Sequence, residues 1–108
     1  ITPKFSNSII LIDVMLNPYV AGNGDSGSYN IHNGSSQLGH ASNGFGIVPP
    51  TGGSNGQYRH FNINASDTAS STSTITYQVY HRSDNSSVTF YGNHANMMNH
   101  IRLTEIAQ

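Results

Sequence analysis

Ile9-Ile10-Leu11-Ile12-Asp13-Val14-Met15-Leu16 is the stretch on which the fold turns. It is apolar at odd and even positions alike, interrupted only by Asp13, and rich in the β-branched residues that suit a pleated sheet. The run ends at Asn17-Pro18, a turn signal. It is far shorter than the roughly 20 residues of a membrane-spanning helix, so the reading is a strand buried on both faces, without membrane insertion. A chain of 108 residues builds one thin core, which covers one face of such a strand. The other face calls for a second copy of the chain.

Outward from this strand, other segments alternate with period two. In residues 74–82, Ile75, Tyr77, Val79 and His81 share one face, and Thr76, Gln78, Tyr80 and Arg82 share the other. Val88 and Phe90 pair in residues 87–91, Ile101, Leu103 and Glu105 near the end, and Arg59, Phe61 and Ile63 in residues 57–64. Asn-Gly, the strongest short hairpin signal, stands at Asn23-Gly24, Asn33-Gly34, Asn43-Gly44 and Asn55-Gly56. Residues 65–73 read as a Ser/Thr-rich loop, and the Gly/Asn-rich residues 17–56 as long functional loops. The expected core is Ile10, Ile12, Val14, Ile75, Tyr77, Val79, Val88, Phe90, Ile101 and Leu103. The fold class is therefore all-β, a single antiparallel β-sandwich of at least six strands over residues 1–108, with no helix longer than two turns.

Composition agrees and narrows the partners. Asn occurs 13 times, Ser 15 and Thr 8, so a third of the chain is small, neutral and hydrogen-bonding, while charged residues are only 8%. Asn and Ser compete with the helix backbone for hydrogen bonds, and Thr favours strands. Lys4, Arg59, Arg82 and Arg102 are scattered, with no basic run to neutralise nucleic acid or an anionic membrane. With no cysteine there is neither a disulfide framework nor a thiolate metal site.

No catalytic pattern emerges, and the chain reads as a non-enzyme. It has 15 serines but no G-x-S-x-G elbow, and its five acidic residues are dispersed. Gly52-Gly53-Ser54-Asn55-Gly56 lacks the Lys-Ser/Thr of a phosphate loop, so no cofactor is expected. The six histidines show no ligand spacing, and no metal is assigned within one chain. His94 or His100 repeated around a threefold axis is the one arrangement that would supply three imidazoles. The aromatic residues carry more information. Tyr19, Tyr29 and Phe45 fall in the Gly/Asn-rich middle, and with His32, Tyr58 and Arg59 they form the expected ligand-contact set. Flat aromatic faces among neutral amides and hydroxyls suit a neutral saccharide.

Three segments carry a family resemblance: Ile1-Thr2-Pro3-Lys4-Phe5-Ser6-Asn7-Ser8 leading into Ile9-Ile10-Leu11-Ile12-Asp13-Val14, then Thr76-Tyr77-Gln78-Val79-Tyr80-His81-Arg82, and at the close Ile101-Arg102-Leu103-Thr104-Glu105-Ile106-Ala107. In order and spacing they resemble a C-terminal module of phage tail-fibre proteins, over about a third of the chain. The resemblance implies a jelly-roll or C1q-like sandwich, a homotrimer, a place on the virion surface beside other fibre proteins, and recognition of a host-surface glycan or protein. It assigns no binding residue. In that family another strand precedes the ITP segment, whereas this chain starts there, as expected of a piece of a longer fibre protein. The alternative is a purely structural head-fibre, decoration or trimerisation cap without ligand binding. The two-faced strand generates the first prediction: the chain sediments as a trimer at micromolar concentration, and a stable folded monomer would remove the argument.

Overall fold

The computed structural model describes residues 1–21, 26–34, 36–48, 56–84, 89–92 and 97–108. Among them regular structure is entirely β-strand: β1 (Ile9–Leu16), β2 (Tyr19–Ala21), β3 (Gly27–Asn33), β4 (Ser36–Gln37), β5 (Gly46–Val48), β6 (Gln57–Tyr58), β7 (Phe61–Thr68), β8 (Tyr77–Ser83), β9 (Thr89–Tyr91) and β10 (His100–Ile106). The all-β, antiparallel expectation holds. β1 is the middle strand of β10-β1-β7, and β2 that of β6-β2-β9. β3 is paired along its whole length by β8, so β5 and β4 share its opposite edge, at its start and end respectively.

Alternation decides what each strand buries. On β1, Ile10, Ile12, Val14 and Leu16 are buried, while Ile9, Leu11, Asp13 and Met15 are half-buried. Within one chain the strand is thus covered fully on one face and partly on the other, not on both as expected. Asp13 is satisfied on the second face by its own register neighbours: its carboxylate accepts from Arg102 Nη2 at 2.8 Å and Asn64 Nδ2 at 2.8 Å. On β3, Tyr29 and Ile31 are buried, and Ser28, Asn30 and His32 take the opposite face. One hydrophobic cluster joins Ile10, Ile12, Val14, Leu16 and Ile63 with Val20, Tyr29, Ile31 and Val48, drawing on all three sheets.

The cluster closes on two carboxylates rather than on apolar side chains. Register places Asp67 and Glu105 beside Ile10, on the core-side face of their sheet. Asp67 accepts from Tyr77 OH at 2.9 Å, Asn33 Nδ2 at 2.6 Å and Thr68 N at 2.8 Å. Glu105 Oε1 accepts from Ser8 Oγ at 2.7 Å, Lys4 N at 2.7 Å and Phe5 N at 3.3 Å. The first segment of the chain is fastened this way and by reciprocal backbone bonds between Ile1 and Ile75.

Several local readings need correction. Residues 65–68 belong to β7, because their pairing to β1 continues as far as Ile9↔Thr68 and Asp67 finds polar partners. Residues 57–64 are two strands, not one: the chain leaves one sheet after Tyr58 and joins another at Phe61. The Gly/Asn-rich middle holds β2, β3, β4 and β5, and it supplies Val20, Tyr29, Ile31 and Val48 to the core. Of the expected core, Ile10, Ile12 and Val14 are buried, and Ile75, Tyr77, Val79 and Leu103 pack partly buried against them. Ile101 is 43% exposed because little covers β10 at its start. Val88, the side chain of Phe90 and the Asn23-Gly24 pair lie outside the described residues, as does Asn55. Gly34 and Gly44 take φ of 61° and 58°, as their Asn-Gly turns require.

Glu105 gives this architecture a pH signature. The Ser8 hydroxyl, then the Lys4 and Phe5 amides, hold its carboxyl below the ordinary 4.5. A depressed carboxylate contributes stability that is present above the unfolded value and lost as pH falls through the folded one. Glu105→Gln is expected to be less stable than wild type at pH 7, with the difference shrinking as pH drops below 4.5. Urea melts at pH 7 and pH 3 check this, and a gap independent of pH would refute it.

Candidate functional site

Two surfaces combine exposure with organised polar or aromatic groups. The first is a cleft on the outer face of β3 and β8, where register sets Ser28 beside Arg82, Asn30 beside Tyr80 and His32 beside Gln78. The segment 38–45 walls it, and its path is specified by local hydrogen bonds. Asn30 Oδ1 accepts from Ile31 N at 2.9 Å and Gly39 N at 3.0 Å, and the Tyr29 carbonyl accepts from Phe45 N at 2.8 Å. His40 and Gly44 exchange two backbone bonds, while His40 Nδ1 accepts from Ser42 N and Asn43 N. Gly44 is needed twice over, since its φ is +58° and a Cβ there would strike the Tyr29 carbonyl oxygen.

The cleft encloses about 240 Å³. His32 and Tyr80 form its aromatic wall, ring centroids 4.4 Å apart and tilted by 44°. Arg82 is held through Nη2, which donates to Ser42 O at 2.7 Å and Asp84 Oδ1 at 3.2 Å. Asp84 is fixed in turn by the Ser26 hydroxyl at 2.6 Å, which with Arg82 holds its carboxyl below the ordinary range. Ser28 lines the cleft at 6% exposure, and its hydroxyl makes no hydrogen bond to the described residues.

The second surface is a row of tyrosines across β6-β2-β9. Tyr19 lies directly opposite Tyr58 on one side and Tyr91 on the other, so the three rings share a face. Val20, the next residue, is fully buried, which turns Tyr19 outward. Centroids are 4.9 Å apart for Tyr19–Tyr58 and 6.0 Å for Tyr19–Tyr91, tilted by 50° and 49°. Tyr58 is 55% and Tyr91 48% exposed. A Cβ at Gly56 would collide with the Tyr19 ring, so the absence of a side chain there makes room for it. Next to Tyr58, the Arg59 amide donates to Pro18 O at 2.9 Å, and its Nε is buried with no hydrogen-bond partner among the described residues.

The structure thus separates the expected contact residues. Tyr19 and Tyr58 come together, with Arg59 beside them in the chain, and His32 enters the cleft. Phe45 is half-buried and packs against the core. Tyr29 is a core residue at 2% exposure: it stacks on Phe61 at 5.3 Å, donates to Gly92 O at 2.9 Å, and burial pushes its phenol pKa up. It lies on the inner face of a middle strand, which rules it out as a surface contact. Tyr91, Tyr80, Arg82 and Ser28 were not in the expected set. Tyr80 and Arg82 do stand on the polar face of the most regular alternation in the sequence, which was the available signal. Among the described residues no three His, Cys, Asp or Glu side chains gather as a metal site would require; His100 is exposed on β10, and His94 lies outside those residues.

Comparison with protein-family models, curated proteins and solved structures finds no match. The cleft wall itself is directly testable. Gly44→Ala is expected to cost about 1–3 kcal/mol through left-handed strain and the clash at Tyr29. Thermal melts measure the loss, and wild-type stability would show that segment 38–45 adapts freely.

Proposed function

We propose that the chain is a virion-fibre module that associates as a homotrimer and binds a host-surface saccharide. The observation that carries the binding half is the exposed, in-register row Tyr58, Tyr19 and Tyr91. Tyrosine presents an apolar face with a polar tip, the combination that packs on sugar rings while keeping its hydroxyl wet. Contiguous exposed aromatic surface of this kind marks contact sites. The resemblance of three sequence segments to fibre modules supplies the setting, and a jelly-roll-like sandwich is the arrangement consistent with a single cluster shared by three sheets and a smallest dimension of 16 Å. That thickness suits two layers packed about 10 Å apart.

Association is favoured by a separate surface. Val14, Leu16, Val79 and Ile101 line an apolar groove of about 210 Å³, next to Met98 at 85% exposure. A neighbouring copy covering this groove would also cover Ile101. The same surface supports the structural reading, in which the module registers three fibre chains and binds nothing further.

A glycan array probed with the purified protein distinguishes the readings. Tyr58→Ala and Tyr91→Ala are each expected to lower per-subunit affinity for a captured glycan by about 0.5–1.5 kcal/mol, roughly two- to tenfold, with larger losses in avidity. Tyr58→Phe should retain most binding. Full binding by the double alanine variant would exclude the tyrosine row, and a folded protein that captures no glycan would favour the structural role.

A further inference from the structure

We infer that the cleft on the outer face of β3 and β8 is a second binding site, built for one anionic sugar residue such as a uronic acid or a sulfated hexose. It rests on the preceding reading only in taking a saccharide as the ligand, since it shares no residue with the tyrosine row. Four features carry it. At about 240 Å³ the cleft is below the roughly 300–1,000 Å³ of sites for drug-sized molecules, which limits the ligand to about one ring. Its lining includes Ser28, nine-tenths buried, whose hydroxyl has no partner among the described residues. That hydroxyl opens onto the cleft, so a ligand hydroxyl can hydrogen-bond to it without displacing a partner among the described residues.

His32 and Tyr80 supply a tilted aromatic wall against which a ring can lie. Arg82 supplies the charge: no acidic residue lines the cleft, and the guanidinium is positioned by Ser42 O and Asp84 through Nη2 alone. Its Nε and Nη1 make no hydrogen bond to the described residues, leaving two separate N–H donors on different sides of the guanidinium for the oxygens of a carboxylate or sulfate. Asp84 offsets part of the charge at Nη2 and does not engage Nε or Nη1. Arg82 therefore sets a cationic group into a concavity of single-sugar size.

The test is an amide-resolved NMR titration of the full chain with methyl glucuronoside, glucose 6-sulfate and methyl glucoside. Shifts are expected at Ser28, Asn30, His32 and Tyr80, with at least one anionic sugar bound about tenfold more tightly than the glucoside, as a hydrogen bond to a charged group warrants. The stronger of the two anions identifies the natural group. Arg82→Gln should level the three affinities, and Ser28→Ala should weaken all three together, each in a protein whose unliganded spectrum is otherwise retained. Should Arg82→Gln not fold, Arg82→Lys keeps the charge but removes the Nε and Nη1 donors and should reduce the preference. Tyr58→Ala with Tyr91→Ala leaves this titration unchanged, so failure of the tyrosine reading is seen separately on the array. Equal binding of charged and neutral sugars, an unaltered preference in Arg82→Gln, shifts at Tyr19, Tyr58 and Tyr91 instead, or none at the cleft would overturn the assignment.

Discussion

Everything else in this molecule depends on β1 being paired along both edges. Its eight residues are matched by β7 on one side and, over seven of them, by β10 on the other, which brings segments about fifty and about ninety positions away into one sheet. Such pairing closes long loops before it gains contacts, so it needs a strong apolar return. Ile10, Ile12, Val14 and Leu16 provide it, all at 7% exposure or less. The sheet of β3 is joined through the same row, because Tyr29, Ile31 and Val48 belong to the cluster β1 begins. A large-to-small change in this row removes apolar burial at the one place where the sheets meet, whereas the outer face of β1 carries only half-buried groups.

A small core of this kind has ends, and here the ends are polar. Asp67 and Glu105 occupy core-side positions that alternation would assign to apolar residues, and both are saturated with short hydrogen bonds. The arrangement uses carboxylates as fasteners: Glu105 collects residues 4–8, and Asp67 ties Asn33 on β3 to Tyr77 on β8. Removing one partner from such a network leaves a partly buried acceptor unsatisfied, which costs more than the bond itself contributes. Specificity in how the sheets join therefore sits in hydrogen bonds, while the driving force sits in β1.

That division explains what the sequence disclosed. β8 and β10 were legible because apolar residues recur there with period two, and β1 because it is a short β-branched apolar run ended by Asn17-Pro18. Gly34 and Gly44 were legible as turns because Asn-Gly has a local backbone reason. β3 was obscured by composition: Gly27, Ser28, Asn30, His32 and Asn33 surround its two inward residues, Tyr29 and Ile31, and they read as loop until a sheet is available for one face. The last residues of β7 were hidden for the opposite reason, since Asp67 in a core-side position makes sense only with Tyr77 and Asn33 beside it. The candidate site was half visible. An exposed tyrosine can be suspected from its neighbours, but Tyr19, Tyr58 and Tyr91 become one row only through strand pairing across more than thirty residues.

The two proposed surfaces are not independent additions to this scaffold but its complement. Because side chains alternate strictly along a strand, Val20 inward forces Tyr19 outward, and Tyr29 and Ile31 inward force Ser28, Asn30 and His32 onto the cleft. A one-residue slip in either strand would bury the contact face and expose the core, so the apolar residues fix not only that these groups are exposed but which of them stand side by side. The glycines complete the arrangement. Gly44 lets segment 38–45 approach the β3 backbone and wall the cleft, and Gly56 leaves room for the Tyr19 ring. A surface so poor in charge gains selectivity from placement rather than from field strength, which is why Arg82, positioned beside Ser28 in the cleft, carries more chemical information than its single charge suggests.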